Sequence, residues 1–190
     1  MTELIPAAKK IQDFIDSKGW KFCFIGGLAV QRWGEIRLTK DVDLTLITEF
    51  GDEEKFVDEL LARFQSRRAD GREFALRQRV LLISEGEIPL DVALGGFDFE
   101  KSAVERSSLF EYPGNVLLRT CSAEDLIVYK TFSGRSQDWN DVRSIIIRHG
   151  KELNWPYIRK WLPTLLELKG TPEAMTTLEN MRKEFSSPKE

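Results

Sequence analysis

The sequence predicts an α+β fold, with a mixed β-sheet core flanked by helices over residues 1–120 and a C-terminal helical region, residues 121–190, packed on that core. Three observations point to it. Short apolar segments at Phe22–Ile25, Val42–Ile47, Phe74–Ile83, Ile88–Leu94 and Asn115–Arg119 have the length and composition of strands. Between several of them the apolar spacing changes to the three-to-four step of a helix, and from Ser122 onward that step prevails.

A leading helix is expected near Ile5–Ser17, where Ile11, Phe14 and Ile15 share a face and Gly19 provides the stop. The strand Phe22–Ile25 and a short helix Gly27–Trp33 follow, then the strand Val42–Ile47. Residues Glu53–Phe64 carry Phe56, Val57, Leu60, Leu61 and Phe64 at helical spacing, with acids in the first turn where the helix dipole favours them. Phe74–Ile83 and Ile88–Leu94 read as two strands of a hairpin turning at Glu85-Gly86-Glu87. A loop containing Gly95-Gly96 leads to the last strand, Asn115–Arg119. Ser122 with Asp125 three residues later marks a capped helix start, and Ser136 is expected to cap the helix Trp139–Arg148. His149-Gly150 closes that helix, the glycine as a left-handed cap. The only histidine thus reads as a helix-end residue rather than a catalytic one. Trp155, Ile158, Trp161, Leu162, Leu165 and Leu166 read as core of the closing helices, with a partner-binding face as the alternative. Glu184–Glu190 is polar and is expected to fray.

With 190 residues, a formal charge of −3, 42% hydrophobic and 31% charged residues, the composition is that of an ordinary soluble domain. The charge argues against indiscriminate nucleic-acid binding, although Arg63, Arg67, Arg68, Arg72, Arg77 and Arg79 outweigh Asp70 and Glu73 locally. That run is either a surface for an RNA backbone or a solvated face. Two cysteines, Cys23 and Cys121, are too few for a disulfide framework, and a cytoplasmic location follows. The start of the chain lacks a secretory pattern and no run is long enough for a bilayer, so no membrane association is expected.

The chemistry concentrates around Gly26-Gly27 and Lys40-Asp41-Val42-Asp43. A glycine pair opening a helix offers backbone N–H groups to a phosphate, and acids two apart on a strand point to one side. Thirteen residues separate Gly27 from Asp41, enough for a short helix and a turn back to a neighbouring strand. Asp91 is a single acid inside the apolar Ile88–Leu94, where an uncompensated charge costs several kcal/mol. It is the natural third ligand for a cation at Asp41 and Asp43. Oxygen donors of this kind suit Mg²⁺, with Mn²⁺ as a substitute, and no histidine or cysteine cluster favours zinc.

This ordered set resembles the nucleotidyltransferase superfamily: a diglycine, an Asp-x-Asp, then a later strand with one more acid. Trp33–Lys40, Ser122–Lys130 and Gly134–Val142 extend the resemblance to its AbiEii-like, toxin-type branch, over about residues 20–148. The resemblance implies transfer of an NMP from an NTP to an acceptor hydroxyl on RNA or protein, and the toxin-type branch an antitoxin partner. It implies that Asp41 and Asp43 hold the metal on the triphosphate, that Asp91 is a further ligand or a base, and that Gly26 and Gly27 cradle phosphates. Lys130 matches a lysine of that branch, which would offset phosphate charge; a solvated lysine is the alternative. Asp138 and Asp141 stand behind it, though acids in a first helical turn need no catalytic reason. Arg37, Thr39 and Lys40 would bind phosphate or orient the acids, unless they are plain turn residues. Asp41-Val42-Asp43-Leu44-Thr45 also matches the motif of haloacid-dehalogenase-type phosphohydrolases. That fold needs an apolar strand before the acids, where Arg37-Leu38-Thr39-Lys40 stands. The remaining rival is a catalytically silent nucleotide- or partner-binding module on the same fold.

Overall fold

The computed structural model describes residues 3–185. The chain forms two compact units, one built from residues up to Leu28 with Leu38–Cys121, the other from Ala29–Arg37 with the chain from Ser122 onward.

The first unit is a seven-stranded mixed sheet with helices on its faces. Its elements begin with α1 (Leu4–Ser17), β1 (Phe22–Phe24) and the first residues of α2 (Gly26–Trp33). After the chain returns come β2 (Val42–Ile47), α3 (Glu53–Arg63), β3 (Gln65–Ser66), α4 (Gly71–Gln78), β4 (Val80–Glu85), β5 (Ile88–Gly95), α5 (Asp98–Glu105), β6 (Ser108–Tyr112) and β7 (Val116–Thr120). The strand order is β3-β4-β5-β2-β1-β7-β6. Parallel pairing of β2 with β5 sets Asp43 beside Asp91, Leu44 beside Val92 and Leu46 beside Leu94. Because side chains alternate, the two rows face opposite sides. Val42, Leu44, Leu46, Leu90, Val92 and Leu94 enter one core with Ile11 and Ile15 of α1 and Val57 and Leu60 of α3. Asp43 and Asp91 are left on the other side.

Several expectations change here. Residues 71–78 are helical rather than the start of a strand, and the strand begins only at Val80. Gly71–Gln78 holds good helix formers but buries only Gly71 and Ala75, so its apolar period is faint, and Arg79 ends it in the left-handed conformation at φ 56°. The expected loop after Gly95-Gly96 contains α5 and β6. Four of the five β6 residues are exposed, which erases the strand alternation. The hairpin at Glu85-Gly86-Glu87 forms as expected, with Glu85 paired to Ile88.

The second unit holds the end of α2 and four helices: α6 (Ala123–Ser133), α7 (Ser136–His149), α8 (Trp155–Lys169) and α9 (Glu173–Phe185). Helix α6 packs on α7 and α8. Ser122 caps α6 as read, its Oγ accepting from the Asp125 N–H at 3.2 Å. The start of α7 differs: Arg135 occupies the cap position and Ser136 is already helical, because the Asp138 carboxylate accepts from the Arg135 N–H at 3.2 Å. Gly150 is right-handed (φ −52°), since the chain runs on into a turn in which the Glu152 N–H donates to the His149 carbonyl at 2.8 Å. Trp155, Ile158, Leu162 and Leu166 are buried as expected. Of the expected frayed end, residues 186–190 lie outside the described residues, while Glu184 and Phe185 complete α9.

Candidate active site

The first unit brings the diglycine, the Asp-x-Asp and the later acid together. Gly26 has φ +57°, a left-handed backbone, and a Cβ there would fall 2.6 Å from Asp43 Cγ and 2.8 Å from its Cβ. The Asp43 side chain therefore lies directly on the glycine backbone that opens α2, a position closed to any other residue. A Cβ on Gly27 would fall 2.6 Å from Thr39 Cβ. Thr39, itself buried, donates from Oγ1 to Asp41 Oδ1 at 3.0 Å. Just past β1, the Ile25 N–H donates to the Asp43 carbonyl at 2.9 Å and ties this corner to β2. Thr39 thus positions Asp41 from its seat on Gly27. Lys40 is exposed beside the pair.

Asp91 is the register neighbour of Asp43 on β5. Burial pushes its carboxyl above the ordinary range, Arg67 pulls against that rise, and the charge of Asp41 adds to it. Arg67, one of the basic run, is a neighbour of this acid. Its guanidinium forms an ion pair with Asp91. Four other arginines of the basic run are engaged elsewhere: Arg63 with Glu85, Arg68 with Asp70, Arg72 with Glu54 and Asp58, and Arg79 with Glu53.

In the second unit, Lys130 is 5% exposed and its Nζ lies 3.0 Å from Asp138 Oδ1 and 2.8 Å from Asp141 Oδ2. Arg37 donates from both Nε and Nη2 to Asp141, at 2.8 and 2.9 Å. Arg135 Nε donates to Asp138 Oδ2 at 2.8 Å, and Gln137 to Asp141 at 3.1 Å. Burial opposes ionisation of Asp138, but hydrogen bonds from Arg135, Ser133 and Lys130 prevail and hold it far below the usual carboxylate range. Asp141 is likewise lowered, with Arg37 and Lys130 overcoming its burial. An open groove of about 950 Å³ runs past Arg37, Gln137, Asn140 and Asp141.

Over residues 2–186 the sequence matches the family described as "Nucleotidyltransferase of unknown function (DUF6036)". The chain belongs to this family. The superfamily and enzyme class implied by the motifs are thereby shown: the protein is a nucleotidyltransferase. No curated relative matches this nucleotidyltransferase in sequence. Among solved structures it is similar to an antigenic nucleotidyltransferase-like protein from Paracoccidioides brasiliensis, with 17% identity, 90% of each chain covered and a TM-score of 0.50. That likeness shows the shared α+β fold. It also matches the lincosamide antibiotic adenylyltransferase LnuA in its lincomycin-bound form, at 14% identity over 72% of this chain and 92% of that one, with a TM-score of 0.48. A third match is ANT(2")-Ia in complex with adenylyl-2"-tobramycin, at 20% identity, 93% and 92% coverage and a TM-score of 0.43.

The acids of this nucleotidyltransferase offer oxygen donors only, and the single histidine, His149, belongs to the other unit. Among the described residues no three His, Cys, Asp or Glu side chains stand together as a ready-made cage for an ion. A pair of carboxylates on one side of a sheet next to the half-buried Gly26 nonetheless fits a cation of the Mg²⁺ type, whose shell is commonly completed by water and phosphate oxygens. Among the described residues no helix is long and apolar enough to cross a membrane, and Cys23 and Cys121 are buried thiols.

Proposed function

We propose that the protein transfers an NMP from an NTP to an acceptor hydroxyl at the corner formed by Gly26, Gly27, Asp41, Asp43 and Asp91. The observation that carries this reading is the left-handed Gly26 pressed against Asp43, with Asp91 in register beside it on β5. A phosphate-accepting backbone and paired carboxylates are thus fused into one structure. Gly26 and Gly27, at the start of α2, direct backbone N–H groups at the β- and γ-phosphates. Asp41, held by Thr39, and Asp43, seated on Gly26, would hold Mg²⁺ or Mn²⁺, and Asp91 is the remaining ligand or the base. A cation held there supplies counter-charge to the triphosphate and the departing pyrophosphate. The acceptor oxygen bonds to the α-phosphorus, the bond from that phosphorus to the β-phosphate bridging oxygen breaks, and Asp91 takes the hydroxyl proton. Lys40, exposed beside the acids, is a phosphate contact in this reading.

Lys130 is the cation that the AbiEii-like resemblance assigns to the phosphates, and Arg37 is a candidate from its place just before the acids. Their ion pairs support a positioning role, in which Lys130 holds Asp138 and Asp141, and Arg37 holds Asp141. The RNA or protein acceptor, the toxin-type role with an antitoxin partner and the cytoplasmic location rest on that resemblance and on the reduced cysteines.

The test is incubation with each α-labelled NTP, Mg²⁺ or Mn²⁺ and a pool of total RNA and lysate protein. The reading expects a labelled acceptor that disappears with Asp41→Ala. Metal-dependent NTP binding without labelling by any of the four nucleotides would favour the silent module instead.

A further inference from the structure

The residues on the acid side of the sheet form a row across three strands and the loop that follows β3. Asp43 on β2 is in register with Asp91 on β5, and Asp91 is in register with Leu82 on β4. The Arg67 N–H, just past β3, donates to the Leu82 carbonyl at 3.0 Å. Paired residues share a side, so the Arg67 side chain reaches over Leu82 to the carboxylate of Asp91. Its neighbours in the basic run pair with acids of α3, β4 and the α4 entry; Arg67 alone among those partnered arginines turns onto the acid row. Both members of the pair keep about a third of their side-chain surface in solvent, 31% for Arg67 and 34% for Asp91. The pair can therefore open without unfolding anything.

We propose that Arg67 is a built-in counter-ion that competes with a divalent cation for Asp91, keeping the acid row balanced until that cation arrives. This rests on the metal-holding reading of Asp41 and Asp43. Without Arg67, Asp91 would stand beside Asp43 and in the field of Asp41 without the guanidinium that pairs with it, and like charges on neighbouring strands repel. With Arg67 in place, a cation must displace a guanidinium to reach Asp91, so the arginine stabilises the empty site and weakens cation binding. A purely structural ion pair predicts no such trade.

The test is a Mn²⁺ titration of the full chain, with free ion followed by electron paramagnetic resonance, in wild type, Arg67→Met, Arg67→Lys and Asp43→Asn. Arg67→Met is expected to bind Mn²⁺ about fivefold more tightly, the upper worth of a partly exposed ion pair expressed as an affinity ratio. Arg67→Lys, which keeps the charge, is expected to stay within about twofold of wild type. Unchanged or weaker binding by Arg67→Met overturns the proposal. If Asp43→Asn binds Mn²⁺ as wild type does, the metal reading itself fails; loss of binding there, with no gain in Arg67→Met, removes only the counter-ion. Should Arg67→Met not fold, the Arg67 Nε–H resonance of the wild type is followed through a Mg²⁺ titration. A shift that tracks saturation supports displacement, and a fixed resonance contradicts it.

Discussion

Replacing Gly26 with alanine isolates the contact on which the active-site reading turns. Two costs arise. The first is conformational, because φ +57° is left-handed and an L side chain there loses about 1–2 kcal/mol. The second is local: the new Cβ would fall 2.6 Å from Asp43 Cγ, so the carboxylate must swing off the glycine backbone. Gly19 supplies the control, with φ +67° and nothing within 4 Å of an added Cβ. Gly19→Ala is therefore expected to lose about 1–2 kcal/mol in urea unfolding, and Gly26→Ala that much plus the cost of displacing Asp43. Only Gly26→Ala is expected to lose nucleotide transfer, by about 100-fold or more, the usual loss when an electrostatic group leaves its catalytic position. Transfer by Gly26→Ala within about threefold of Gly19→Ala would show that the seat of Asp43 is irrelevant to function.

Thr39→Val keeps the packing on Gly27 but removes the donor to Asp41; transfer is expected to fall about tenfold while stability changes by less than about 1 kcal/mol, as separate kinetic and unfolding measurements would show. Lys130→Met leaves Asp138 and Asp141 buried without their shared cation, and urea unfolding is expected to show a loss of about 3 kcal/mol; a loss below about 1 kcal/mol would mean the cluster relaxes into solvent. Because Asp138 is depressed in the folded state, its contribution is fully present above its unfolded pKa of about 4 and is lost as pH falls toward the lower folded value. The stability gap between wild type and Asp138→Asn is accordingly expected to be level from about pH 5 to 7 and to shrink below about pH 4; a gap that widens on acidification would reverse the assignment.

The elements that build the site were legible because their signals are local. Val42–Ile47 and Ile88–Leu94 have strand composition, and the glycines of α2 sit where close approach demands them. Residues 74–78 resemble strand in sequence because a polar helix buries little and the apolar run of β4 follows at once. Strand β6 was invisible because an edge strand with exposed side chains has no alternation to read. Long-range partnerships were beyond the sequence altogether. Nothing in the basic run distinguishes Arg67 from Arg68; only the β3–β4–β5 register directs one to Asp91 and leaves the other on Asp70. Likewise, Ala29–Arg37 joins the helical unit because the chain leaves the sheet and returns, a route that composition does not record.

The central claim is tested most directly by calorimetric titration of each NTP into the wild type and Asp43→Asn, with and without Mg²⁺. The account predicts binding that requires the cation and weakens at least about tenfold in Asp43→Asn, the scale of losing one charged contact. Nucleotide binding that persists without Mg²⁺, or that Asp43→Asn leaves unchanged, would contradict it.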